Sequence, residues 1–158
     1  MNTQIFEWLQ NTPLATNISE NWFPWVESAH VLFMALVFGT ILIVDTRLLG
    51  WTSAQHRVTY LADRMLPWTW GAFIGSVITG FLMFAAGATN YIQNTPFLVK
   101  MGLLVLAGVN MLFFQLVTYR TVARWDAGRP PPAARMGGLA SMLLWIGVIG
   151  FARWTGFV

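Results

Sequence analysis

The chain contains no cysteine. It therefore forms no disulfide, holds no iron–sulfur cluster and offers no thiolate to a metal, and its redox compartment is left open. Charge is nearly as scarce, at 9% of 158 residues, and the three Glu and three Asp are too few and scattered for a divalent-metal hydrolase. Only two histidines are present, His30 and His56. No Ser-His-Asp set is placed together, no carboxylate pair converges, and no glycine-rich phosphate loop follows a strand. The first twenty residues lack the basic start and apolar middle of a signal peptide, so they are expected to be kept and folded. No convincing internal repeat is present, although the chain can be read as two related hairpins.

What the chain has in abundance is apolar surface. A hydrophobic share of 56% and a mean hydropathy of +0.59 point to an integral membrane protein. Nine Trp and twelve Phe suit helix ends that sit among lipid headgroups. Four stretches, at about residues 22–49, 66–86, 96–119 and 137–154, are each long enough to cross roughly 30 Å of hydrocarbon at about 1.5 Å per residue. The expected fold is all-α: one transmembrane domain over residues 1–158, built as a four-helix bundle.

Arg47, Arg57, Arg64, Arg120, Arg124, Arg129 and Arg135 border the loops after the first and third stretches, leaving only Lys100 and Arg153 elsewhere. The intervening turn, AGATNYIQNT, carries no charge. Since positive loops stay in the cytoplasm, both termini are expected outside. The net charge of +3 reflects this asymmetry and gives no reason to invoke nucleic acid. Before the first span, Ile5, Phe6, Trp8 and Leu9 recur at helical spacing and predict a short amphipathic helix lying on the outer surface. The triple proline 130–132 reads as a stiff spacer.

Ionisable groups at membrane depth are costly and are functional candidates by default. His30 lies roughly 12 Å inside the outer end of the first span and Lys100 roughly 6 Å inside the outer end of the third. Glu27, one turn outward of His30, and Arg153, closing the fourth span, share that leaflet. Glu27, His30, Met34, Phe38 and Ile41 form one helical face expected to point into the bundle. Glu27 there could accept a hydrogen bond from one ring nitrogen of His30 and raise its basicity as a ligand. His30 with Met34 would suit a soft metal ion. At the opposite end, Asp45 and Arg47 read as an interfacial ion pair. Asn110 reads as interhelical glue, and Gly71, Gly75 and Gly80 with Ser76 and Thr79 as a small-residue face, either inside the bundle or toward a second subunit.

The runs ESAHVLFMALVFGTILIVDTRLLG, LPWTWGAFIGSVITGFLMFAA and TPFLVKMGLLVLAGVNMLFF resemble a bacterial four-helix membrane family catalogued only as a domain of unknown function. More distantly, His30 and Lys100 resemble the first-helix His and later-helix Lys of the copper-resistance protein D family and the HemJ-type protoporphyrinogen oxidases. The resemblance implies the bacterial inner membrane as location. The HemJ-type likeness implies a haem-associated oxidoreductase, and the copper-resistance likeness implies copper handling. A haem b would take His30 as one axial ligand. Its other ligand would be a Met, Lys100, water or nothing, because His56 falls in a cytoplasmic loop across the bilayer. Lys100 and Arg153 would alternatively pair with haem propionates. Three functions stay open: haem-linked electron transfer with quinone, a noncatalytic anchor or assembly subunit of a larger complex, and metal-ion transport.

Overall fold

The computed structural model describes residues 3–53 and 55–157; among them every regular element is a helix or a helical turn. Helix α1 (Gln4–Gln10) is the expected N-terminal helix. It sets Phe6 edge-on to Phe84 at 6.3 Å and leaves Ile5 and Trp8 exposed. Thr12 caps the next helix, α2 (Pro13–Asn17), whose first position is a proline, where a missing amide proton costs nothing. A π turn, Ile18–Trp22, then carries the chain into α3 (Phe23–Leu49). Gly50 ends α3 in the left-handed region at φ 77°, its amide bonded to the Arg47 carbonyl at 3.0 Å.

Helix α4 (Val58–Ala86) begins well before the apolar stretch expected to start near residue 66, and Pro67 lies inside it. The reason is a distant cap. The Asp126 carboxylate accepts the Thr59 amide at 2.8 Å and the Thr59 hydroxyl at 2.7 Å, so the first turn of α4 is satisfied from another loop. After the short α5 (Ala88–Tyr91), Asn94 caps α6 (Thr95–Phe113) through the Phe97 amide at 3.0 Å. A π turn and a 3-10 turn continue α6 to Arg124. Helix α7 (Pro132–Trp154) starts on the last of the three prolines, so only Pro130 and Pro131 act as a spacer.

Four helical runs, Pro13–Leu49, Val58–Ala86, Thr95–Arg124 and Pro132–Phe157, are long and apolar enough to cross a membrane. Helix α3 packs on α4 and α7, and α6 packs on α7, whereas α4 and α6 make at most marginal backbone contact. The order around the bundle is therefore α4, α3, α7, α6, with a seam between the outer pair. Val37, Ala72, Ala107, Trp145 and Val148 form the central core, one or two residues from each long helix. Gly75 meets the Phe33 ring, where a Cβ would stand 2.8 Å away, and Gly80 meets His30, so these two glycines serve packing between α3 and α4. Gly71 faces open space. Outward, Leu32, Ile74, Ile78, Val105, Leu112 and Leu143 are all exposed, an inversion of the soluble pattern.

Candidate functional site

The end of the bundle that carries α1 and α5 has few charges, and the polar candidates gather there. His30, on α3, is partly exposed, and its Nδ1 lies 3.0 Å from the Thr79 hydroxyl on α4. Thr79 has a single hydroxyl proton, which it donates to the Gly75 carbonyl at 2.8 Å. With its proton used there, its oxygen accepts from His30, an arrangement that puts the ring proton on Nδ1 and keeps a lone pair on Nε2. Gly80 makes room for this, since a Cβ there would come within 3.0 Å of the His30 Cε1. The helical spacing offers Glu27 as the ring's partner, but the structure gives that place to Thr79, and Glu27 is exposed.

Lys100, on α6, is partly exposed, with its Nζ 4.6 Å from the centre of the Phe97 ring. Its charge and that of Glu27 are both felt at the His30 ring, so α3 and α6 bring acid, imidazole and ammonium into one neighbourhood. Above them, aromatic rings bridge the seam. Phe84 of α4 stacks on Phe97 of α6 at 5.7 Å, and Tyr91 of α5 lies 5.1 Å from Phe97. Burial pushes the Tyr91 phenol above its ordinary pKa, and the Glu27 carboxylate adds to the shift. Neither Thr79 nor this aromatic bridge is signalled by the sequence as part of a site, because each depends on which helices become neighbours.

The remaining candidates lie elsewhere. Arg153 is exposed, with its guanidinium 4.8 Å over the Phe157 ring. Met34 packs against the central core one turn inward of His30. Among the described residues no group of three or more His, Cys, Asp or Glu side chains is placed to hold a metal ion. His56 is exposed at the basic end and stacked on Tyr60 at 5.7 Å. Two surface clefts near α1, α2 and α5 are lined by other residues, among them Asn90 and Trp154 in one and Leu14 and Trp22 in the other.

At the basic end the expected Asp45–Arg47 pair is replaced by something else. Arg47 is only 2% exposed and uses its guanidinium on loop carbonyls: Nε to His56 at 2.9 Å, and Nη2 to Gly128 at 3.2 Å. Asp45 is buried between α3 and α7 beside Ser141, with Oδ2 lacking any hydrogen-bond partner. Two residues apart on a helix, the two side chains leave in different directions, which is why they do not meet. Asn110 does bridge helices, donating to the Gly137 carbonyl at 3.1 Å.

Fold and site together define an all-helical chain with four runs able to cross a membrane and a His–Lys neighbourhood at one end. A family profile matches residues 6–158, and the chain belongs to that family, a family of unknown function, DUF6644. No curated protein and no solved structure is detectably similar to it. No link to the copper-resistance protein D or HemJ-type families is found.

Proposed function

We propose that the chain is a multi-pass protein of the bacterial inner membrane, with both termini outside, that takes part in membrane electron transfer through a haem b on His30. The observation that carries this reading is the His30–Thr79 hydrogen bond. It holds the ring by Nδ1 and is compatible with the tautomer whose Nε2 is free, the form a haem-ligating imidazole would take. Haem, when bound, supplies a one-electron couple. The chain's own part is to fix the imidazole against Gly80 and to present the Lys100 ammonium to a propionate. The apolar exterior suits a lipid-soluble quinone as electron partner, and the arginines at the opposite end favour the stated orientation.

The test is an absorption spectrum and a pyridine haemochrome assay on gently purified protein from haem-sufficient cells, beside His30→Ala. Stoichiometric haem in the native chain and its loss in the variant are expected. A native chain free of porphyrin sinks the reading; equal haem in the variant sinks the ligand assignment. A second reading, a noncatalytic subunit that anchors or assembles a complex, draws on Gly71, Gly102 and Gly108, where a Cβ would meet nothing within 4 Å. It expects a colourless protein that migrates on native gels with other subunits. Metal-ion handling would rest on His30 and Met34 alone.

A further inference from the structure

Asp45 is the only acidic side chain buried among the described residues. It sits about one turn inside the basic end of α3, 6% exposed, and its Oδ2 has no hydrogen-bond partner. Helix α7 lies directly on this turn: a Cβ at Gly138 would stand 3.2 Å from the Asp45 carbonyl oxygen, and Ser141, one turn on, is the polar side chain that meets the carboxyl. Toward the basic loops, Leu48, Val58, Trp125 and Ala134 form a buried apolar layer. No counter-charge reaches the group. Arg47 is engaged on the carbonyls of His56 and Gly128, while Asp63 and Arg64 on α4, Arg120 and Arg124 after α6, and Arg135 on α7 are all exposed. Among the described residues, Ser141 is the side chain that acts on the carboxyl, and no charged one does.

A buried carboxylate needs a paired cation or several donors, and this one has neither, so its ionised form would be an uncompensated charge in an apolar joint. With a proton the same group is a neutral polar side chain that one hydroxyl can serve. We propose that Asp45 is a proton-binding site built into the α3–α7 joint: the carboxyl holds one proton while the two helices are packed and releases it only when they part. On release the O–H bond breaks and the proton passes to water entering from the basic end, leaving a carboxylate that Ser141 alone does not satisfy. Packing and proton occupancy are then one equilibrium, in which protons close the joint and their loss loosens it. The site does not depend on the haem reading, since His30 lies roughly 22 Å away along α3.

The experiment is infrared spectroscopy on the full-length protein reconstituted in lipid, with and without isotope-labelled aspartate. At mildly acidic pH, above the range in which exposed carboxyls titrate, one carboxylic-acid C=O band is expected, shifted by the aspartate label. It should be absent from Asp45→Asn, which keeps the shape of the side chain without a titrating proton. As the pH is raised the band should vanish, and amide hydrogen exchange, corrected for its intrinsic pH dependence, should rise several-fold where α3 and α7 face one another near Asp45. Asp45→Asn should show no such rise. A wild-type spectrum without an aspartic-acid band overturns the proposal and gives Oδ2 to a bound cation or trapped water, and the label makes this readable even where the variant fails to fold. A band that persists in Asp45→Asn overturns the assignment, and an exchange rise of equal size in the variant overturns the coupling of proton to packing.

Discussion

Arg47 reaches Asp126 through the main chain: its Nη2 lies 3.4 Å from the Asp126 carbonyl, while the Asp126 carboxylate turns away to Thr59. The two side chains work on different helices. Arg47 ties the end of α3 to both basic loops, and Asp126 caps α4.

Arg47→Ala leaves the carbonyls of His56 and Gly128 without their buried donor. At about 1.5–3 kcal/mol for a hydrogen bond to a charged group, a loss of at least about 3 kcal/mol is expected. Arg47→Lys recovers little, because an ammonium cannot reproduce a fork aimed at separate carbonyls. Denaturant titration of the detergent-solubilised protein measures this. A deficit below about 1 kcal/mol in Arg47→Ala would show that water replaces the guanidinium without cost.

For Asp126, burial alone would raise the pKa, but the Thr59 hydroxyl and amide, the Arg57 charge and the Val58 amide together hold it below its ordinary value. A folded pKa below the unfolded one means stability that is present above the unfolded value, about 4, and lost as pH falls through the folded value. Asp126→Asn is expected to lower the melting temperature at pH 7, by an amount matching about 0.5–2 kcal/mol for a lost helix cap. The gap to wild type should shrink steadily on acidification below about pH 4. A gap that stays constant down to pH 3 would assign the effect to shape, not charge.

Gly80→Val places branched carbon where a single Cβ already comes within 3.0 Å of the His30 Cε1, so the ring must move. Thr79→Val removes the acceptor of the Nδ1 proton, and Thr79→Ser keeps it. Loss of such a supporting partner typically costs about 10–100-fold in affinity at a ligated histidine. Haem titration of stripped protein should show weakening in Gly80→Val and Thr79→Val and near-normal binding in Thr79→Ser. Equal affinity in all three would remove Thr79 from the site.

Gly138→Val is expected to destabilise by about 1–3 kcal/mol, because a Cβ there lies 3.2 Å from both the Asp45 carbonyl and the Leu48 Cβ. Gly150→Ala meets nothing within 4 Å and should be neutral or slightly stabilising, as alanine favours the helix. The pair is read by unfolding in detergent, and a neutral Gly138→Val would mean that α3 and α7 can separate freely.

The absence of cysteine makes topology directly measurable. Gln4→Cys should react with a membrane-impermeant maleimide on intact cells, and Arg129→Cys only after lysis. The reverse pattern would invert the assigned orientation.

Four long helices and a short one before them are legible in the sequence, because apolar length and the Ile5–Leu9 spacing are local properties. The start of α4 is not: its cap, Asp126, lies 67 residues from Thr59. The Asp45–Arg47 pairing fails for a similar reason, as the carbonyls that Arg47 binds become neighbours only when the two basic loops meet. His30 and Lys100 stand out by their cost at membrane depth. Thr79 is one hydroxyl among many until α4 lies beside α3, and its phase toward His30 then gives it a role.

Because α3 pairs with α4 and α6 with α7, the chain consists of two hairpins, joined by α3 against α7, by the Arg47 and Asp126 bonds between the basic loops and by the Phe84–Phe97 stack. During synthesis the first hairpin is complete before the second leaves the ribosome. Biogenesis then reduces to two independent insertions followed by one docking step. A gene cut between Ile92 and Asn94 should yield two fragments that find each other in the bilayer.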